Sequence, residues 1–295
     1  MRLFVVGGEG QVARSLREAA ILDKDIVFGF AARPNVDLVQ PLSIEKAIAD
    51  FRPDLVVNPA AYTAVDKAES EPDQAFAVNR DGARTVAAVA AAQGAAIIHL
   101  STDYVFDGKK QGAYTERDPV APQTVYGRSK LAGEVAVAGA NPKHIILRTS
   151  WVYAPFGNNF VQTILRLATE RDRLRIVDDQ LGCPTYAPDV AEAIMTIAQK
   201  LTLSGWNSDF EGVTHLAEPD ALTWCAFARA IVRGAVERGA RSIPIDPIPT
   251  FEYQTPAARP ANSRLSTARL ESMFGIRLPT MKQSLAHCLD RLYQR

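Results

Sequence analysis

Apolar and polar positions divide the chain into two halves of different texture. In the first, short continuous apolar runs alternate with longer stretches of helical periodicity. Arg2-Leu3-Phe4-Val5-Val6 opens the series, and similar runs lie at 26–30, 55–58, 96–100 and 144–147. Apolar runs of this length with no polar face predict strands buried on both sides, as in a parallel sheet. Between them, 11–20, 43–51, 73–93 and the stretch after Val125 read as helices. Ser43 is expected to cap the second, and Gly94 stops the third, an Ala-rich helix with Asn79 in its middle. Five such alternations predict an α/β fold, a doubly wound parallel sheet with right-handed crossovers.

After Arg148 the alternation lapses. Helices are expected at 187–200 and 223–238, with two short ones at the end. Residues 178–185 and 255–263 read as polar loops and 205–212 as an exposed loop. The stretch 242–251 carries three prolines and cannot be helical. The expected organisation is a dinucleotide-binding domain over 1–150 and a mainly substrate-binding domain over 151–295. The second is expected to be smaller, partly interleaved, and to return some segments to the sheet. There are no internal repeats.

Composition changes this picture little. The 295 residues are 47% hydrophobic and 22% charged with zero formal net charge, which gives no basis for nucleic-acid or anionic-membrane binding. No apolar run reaches membrane-spanning length, and the N-terminus enters a strand at once, leaving no room for a signal peptide. Cys183, Cys225 and Cys288 are odd in number and far apart, which suits a reduced, cytoplasmic chain. Neither they nor the four isolated histidines make a metal spacing.

The candidate chemistry lies at strand ends. Gly7 and Gly10, with small Ala13 in third place, follow the first strand and open a helix. Strand, glycine turn and helix in that order make a phosphate cradle of the Rossmann type, in which backbone N–H groups and the helix dipole meet a pyrophosphate. The second strand runs into Phe30-Ala31-Ala32-Arg33 rather than an acid. Arg33 there suits a ribose 2′-phosphate and hence NADPH, with NADH left open; the alternative is a solvated loop charge. Asp37 and Leu38 are placed near the adenine, and the small-residue loop from Pro59 through Thr63 lets backbone pass close to a cofactor. Ser101 or Thr102, at the end of the fourth strand, could hydrogen-bond a substrate carbonyl, or merely cap a turn. Tyr126 and Lys130 stand one helical turn apart. A phenol beside an ammonium is expected to have a lowered pKa and to protonate a carbonyl oxygen as hydride reaches its carbon.

Together the glycine loop, Ser101–Phe106 and Tyr126–Lys130 resemble the extended short-chain dehydrogenase/reductases. Within them the resemblance narrows to the dTDP-4-dehydrorhamnose reductases. It rests on Ala64-Val65-Asp66-Lys67-Ala68-Glu69, Arg148-Thr149-Ser150-Trp151-Val152-Tyr153 and Gly157-Asn158-Asn159-Phe160. Asp179-Gln180, Pro184-Thr185, Arg259-Pro260 and Asn262-Ser263 reinforce it. The resemblance implies Gly10, Gln11 and Val12 as the pyrophosphate loop and Ala61, Tyr62 and Thr63 as a cofactor loop. Tyr62 stands where a histidine is common. It implies Thr102, Tyr126 and Lys130 as the catalytic set. Asp103, Trp151 and Asn159 are implied on the sugar side, and Arg259 as a ligand of the nucleotide diphosphate. The implied reaction reduces the C4 ketone of dTDP-4-dehydro-L-rhamnose to dTDP-L-rhamnose.

Some members of this family hold magnesium through glutamates, one just after the glycine loop. Arg14-Ser15 occupies that place here, so no metal site is expected. Oligomeric state stays open, a homodimer included. Two rival readings are a nucleotide-sugar epimerase or dehydratase of the same branch and a non-catalytic regulatory relative. The first lacks a Glu after Asp103, and the second has no use for an intact Thr102, Tyr126 and Lys130.

Overall fold

The computed structural model describes residues 1–23 and 25–294. Its first half runs β1 (Arg2–Val6), α1 (Gln11–Leu22), β2 (Val27–Ala31), α2 (Pro41–Phe51), β3 (Leu55–Asn58), and α3 (Val65–Ala68). Then come α4 (Pro72–Phe76), a π-helical segment (Ala77–Gly82), α5 (Ala83–Ala92), β4 (Ala96–Thr102), α6 (Val125–Ala140) and β5 (His144–Thr149). The second half gives β6 (Val152–Tyr153), α7 (Phe160–Glu170), β7 (Leu174–Val177), β8 (Leu181–Gly182), β9 (Thr185–Tyr186) and α8 (Ala187–Ser204). It continues with β10 (Gly212–His215), β11 (Leu222–Thr223), α9 (Trp224–Val236), β12 (Ile245–Ile248) and β13 (Asn262–Ser263). Two helices, α10 (Ala268–Phe274) and α11 (Met281–Tyr293), close it.

Six strands form one parallel sheet in the order β10-β5-β4-β3-β1-β2. The apolar runs are continuous because both faces are covered. Leu3, Val5, Leu55, Val57, Ile98 and Leu100 pack with α1 and α8 on one face. Phe4, Val6, Val56 and Ile97 pack with α2 and α5 on the other. From β1 the chain goes to β2 on one side and β3 on the other, so a crevice opens beyond the carboxyl ends of these strands.

The second half also feeds this sheet: β10 pairs with β5, and α8 lies against α1. A separate core gathers Tyr153, Ile164, Phe227, Ile231, Ile245 and Leu289 from β6, α7, α9, β12 and α11. Small sheets β7/β12, β6/β9 and β11-β8-β13 frame it.

Several local expectations are corrected. The helix expected from Ser43 starts at Pro41, whose ring suits a first helical turn, and the Ser43 hydroxyl instead bonds Asp37 N–H at 3.0 Å. The Ala-rich helix is interrupted by the π segment at Asn79. There the Gly133 backbone of α6 comes so close that a Cβ would lie 2.0 Å from Asn79 O. The expected loop at 178–185 contains β8 and the start of β9, and that at 205–212 carries the buried Phe210. Pro247 is tolerated in β12 because that strand has only one neighbour.

Candidate active site

The crevice is a cleft of about 1080 Å³, walled by the glycine loop, the ends of β2, β3 and β4, the first turns of α6, and the 157–158 loop. Gly7 adopts φ +104°, and a Cβ on Gly8 would meet Ala32 Cβ at 2.9 Å. Gly10 leads α1 with no side-chain cap, which leaves the first N–H groups of the helix for an anion. Gln11, Val12, Arg33, Asp37, Leu38, Ala61, Tyr62 and Thr63 all line the same cleft. The loop at Tyr62 is rigidly held: Asn79 accepts from its N–H at 2.8 Å and donates to its carbonyl at 3.1 Å and to Ser129 at 2.9 Å. The backbone geometry therefore fits a dinucleotide.

Thr124 caps α6, accepting from Gly127 N–H at 3.0 Å, and aligns Tyr126 and Lys130 along the cleft. Lys130 is buried and donates to Leu100 O at 2.6 Å, with His99 Nε2 at 3.5 Å. Burial lowers its pKa to about 8 against the raising charge of Glu134. His99, buried and beside Lys130, is held well below its ordinary value and stays neutral.

The expectation that Lys130 lowers the Tyr126 pKa is corrected. Burial pushes the phenol up to about 12, the Thr102 hydroxyl pulls it down, and Asp103 adds to the rise. The ammonium is turned to the Leu100 carbonyl and does not contribute. Tyr126 is therefore a phenol, not a phenolate, at neutral pH. Tyr104 packs edge-on against its ring at 5.4 Å.

The structure separates Ser101 from Thr102. Ser101 donates to Glu134 Oε1 at 2.5 Å, and Glu134 forms a buried bidentate pair with Arg148 at 2.8 and 2.6 Å. Thr102 donates to Asp103 at 3.0 Å and sits beside the Tyr126 phenol. Asp103 is buried with Oδ2 unpartnered, and burial raises its pKa to about 6.

Of the expected sugar-side residues, Trp151 holds a strained φ of +48° and stacks on Trp224 with ring centres 3.4 Å apart. Gly182 lies against the Trp151 indole so closely that a Cβ would come within 2.2 Å. Asn159 is committed elsewhere. It caps α7 by accepting from Gln162 N–H at 3.2 Å and donates to Gln11 at 3.1 Å, tying the glycine-loop helix to the second lobe. Arg259 pairs with Asp66 at 2.7 Å, bringing the 255–263 loop onto α3.

Three features escaped sequence reasoning. The Glu134–Arg148 pair joins residues of opposite charge fourteen apart, a spacing with no local signature. Thr149 Oγ1 is buried without a partner on the cleft wall, one strand over from Thr102. Arg17 lies over the Phe30 ring at 5.1 Å, its Nη2 3.2 Å from where a Gly8 Cβ would be, adding a second cation near the end of β2. Among the described residues no His, Cys, Asp or Glu cluster could hold a metal ion, and no helix is long and apolar enough to cross a membrane.

A protein-family model described as the RmlD substrate binding domain matches residues 1–294. A dTDP-4-dehydrorhamnose reductase of Sinorhizobium fredii is 52% identical over 284 residues, covering 96% of this chain and 95% of its own. The chain is similar throughout its length to a crystal structure of a dTDP-4-dehydrorhamnose reductase from Clostridium acetobutylicum, with TM-score 0.92, 34% identity and 100% coverage of both chains. A second such reductase, from Bacillus anthracis in complex with NADP, matches with TM-score 0.88 and 33% identity over 98% of each chain.

Proposed function

The chain belongs to the RmlD substrate-binding-domain family, and we infer from that membership and from its site that it catalyses the NADPH-dependent reduction of dTDP-4-dehydro-L-rhamnose to dTDP-L-rhamnose. The observation that carries the chemistry is a buried Tyr126 and Lys130 at the wall of a cleft whose other end is a glycine cradle, with buried Thr102 beside the Tyr126 phenol.

In the proposed arrangement Gly7, Gly10, Gln11 and Val12 hold the pyrophosphate, and Arg33 meets the adenosine ribose with Asp37 and Leu38 nearby. Ala61, Tyr62 and Thr63 back the middle of the cofactor, which when bound supplies hydride to the sugar C4. Tyr126 gives its phenolic proton to the developing C4 alkoxide and is reprotonated from solvent. Its high pKa keeps the proton in place until negative charge appears on the oxygen. Thr102 orients the carbonyl oxygen. Lys130, braced on Leu100 O, presents its remaining N–H groups to the nicotinamide ribose. General acid catalysis of this kind contributes about 10²–10⁴-fold, the rest coming from orientation.

Asp103 and Trp151 take the sugar side and Arg259 the diphosphate; Asn159 acts through Gln11 and the α7 cap. Residues 1–150 are proposed as the dinucleotide unit and 151–295 as mainly the substrate unit, with β10 and α8 serving the first. Three free, buried cysteines support a reducing cytoplasmic setting.

The test is NADPH oxidation by the purified chain with dTDP-4-dehydro-rhamnose made in situ, followed by product analysis. dTDP-L-rhamnose is the expected product. An epimerised or dehydrated sugar, or no turnover, would overturn the reading.

A further inference from the structure

The mechanism above leaves the Ser101–Glu134–Arg148 cluster unused. Glu134 follows Lys130 by one turn on the same face of α6. Both groups reach the same short stretch of β4. Lys130 Nζ bonds the Leu100 carbonyl at 2.6 Å, and Glu134 Oε1 accepts from Ser101 at 2.5 Å, immediately before Thr102. Arg148 on β5 holds the carboxylate from the other side, with both members of the pair 4% exposed.

We propose that Glu134 is a positioning residue for the reduction. It fixes the α6 turn that carries Lys130 against the end of β4 that carries Thr102, and it supplies the negative charge between two buried cations, Lys130 and Arg148. A surface pair would do neither, because solvent would screen it and leave its geometry loose. This rests on the reductase reading of the same site.

The surroundings define what Glu134 balances. Lys130 comes from its own helix, Arg148 from β5 and neutral His99 from β4, while Asp103, with a pKa of about 6, lies just past the end of β4. His215 of β10, held near 3 by burial and by Arg148, stands behind the guanidinium. The π segment brings the Asn79 carbonyl to Gly133. Without the carboxylate, Arg148 would lose its ion-pair partner beside a second buried cation, Lys130. Lys130 would then give up its proton more readily, in keeping with the direction in which Glu134 now acts on it.

The experiment is the pH dependence of kcat/KM for the full-length enzyme with NADPH and the 4-ketosugar. Wild type should lose activity on an alkaline limb near pH 8, and Lys130→Met should lack that limb. Glu134→Gln should move it down by about half a unit or more. NADPH binding should weaken several-fold at pH 8 and little at pH 6. Glu134→Gln/Arg148→Met, which also removes the uncompensated guanidinium, keeps the measurement possible should the single variant fail to fold, and should shift the limb in the same direction. Ser101→Ala keeps both charges and should lower kcat several-fold with the limb in place. An unmoved limb in a folded Glu134 variant, or unchanged kcat in Ser101→Ala, overturns the inference. A wild type without turnover, or a limb that persists in Lys130→Met, defeats the reading of the site instead.

Discussion

The Arg259 guanidinium lies 2.7 Å from the Asp66 carboxylate and joins the 255–263 loop to α3, between residues 193 apart in the chain. The same carboxylate accepts from Ala257 N–H at 3.1 Å, so Asp66 organises the whole turn before Pro260. With side chains 23% and 41% exposed, the ion pair itself contributes at most about 1 kcal/mol. Arg259 can therefore be shared with a diphosphate at small cost.

Arg259→Ala is expected to raise the KM for the sugar nucleotide by about tenfold or more, the loss of one charge-assisted contact, while the NADPH KM changes little. Steady-state kinetics with each substrate varied in turn provide the check. Equal effects on both would remove Arg259 from the sugar-nucleotide end.

Cofactor preference should follow the cations at the end of β2. Arg33 lines the cleft there, and Arg17 lies close behind over Phe30. NADPH should be favoured over NADH by about 1–2 kcal/mol, the value of one charge-assisted contact. Arg33→Ala should erase most of that preference in kcat/KM ratios. A wild-type preference for NADH would reduce Arg33 to a solvated loop charge.

Tyr126→Phe keeps the ring and its contact with Tyr104 but deletes the proposed proton donor. Turnover should fall by about 10²-fold or more, with the thermal transition and both ligand affinities nearly unchanged. Lys130→Met should differ in kind, lowering turnover and weakening NADPH binding together. Near-normal kcat in Tyr126→Phe would make the ring a packing group and move the proton source elsewhere.

Asp103 gives a stability prediction with a definite sign. Its folded-state pKa of about 6 lies above the ordinary value of 3.8, because burial penalises the charged form. The neutral carboxyl favours folding at low pH, and that contribution is lost as pH rises from about 4 through 6. Asp103→Asn should therefore raise stability at pH 7 by on the order of 2 kcal/mol, a gain that shrinks towards pH 4. The same change should impair turnover, since a polar group left unpaired beside Thr102 suits a substrate hydroxyl. Denaturant titrations at the two pH values test the sign; a gain that grows on acidification would contradict it.

What the sequence determined by itself is what local period and local backbone chemistry control. Apolar runs such as 55–58 and 96–100 could be placed because a strand covered on both faces must be apolar throughout. The glycine turn after β1 and the one-turn spacing of Tyr126 and Lys130 were legible for the same reason, each depending on a few consecutive residues. Tertiary structure alone decided whatever depends on distant partners. Ser101 and Thr102 are neighbours with the same hydroxyl, yet Glu134 claims one, while the other is left beside Tyr126. The contact of Asn159 with Gln11 joins residues 148 apart, and Leu181–Gly182 became a strand because β11 and β13 lay alongside. The Tyr126 pKa reversed direction because burial is a property of the assembled chain: desolvating a phenolate outweighs the Thr102 hydrogen bond, and the Lys130 ammonium has turned to a backbone carbonyl.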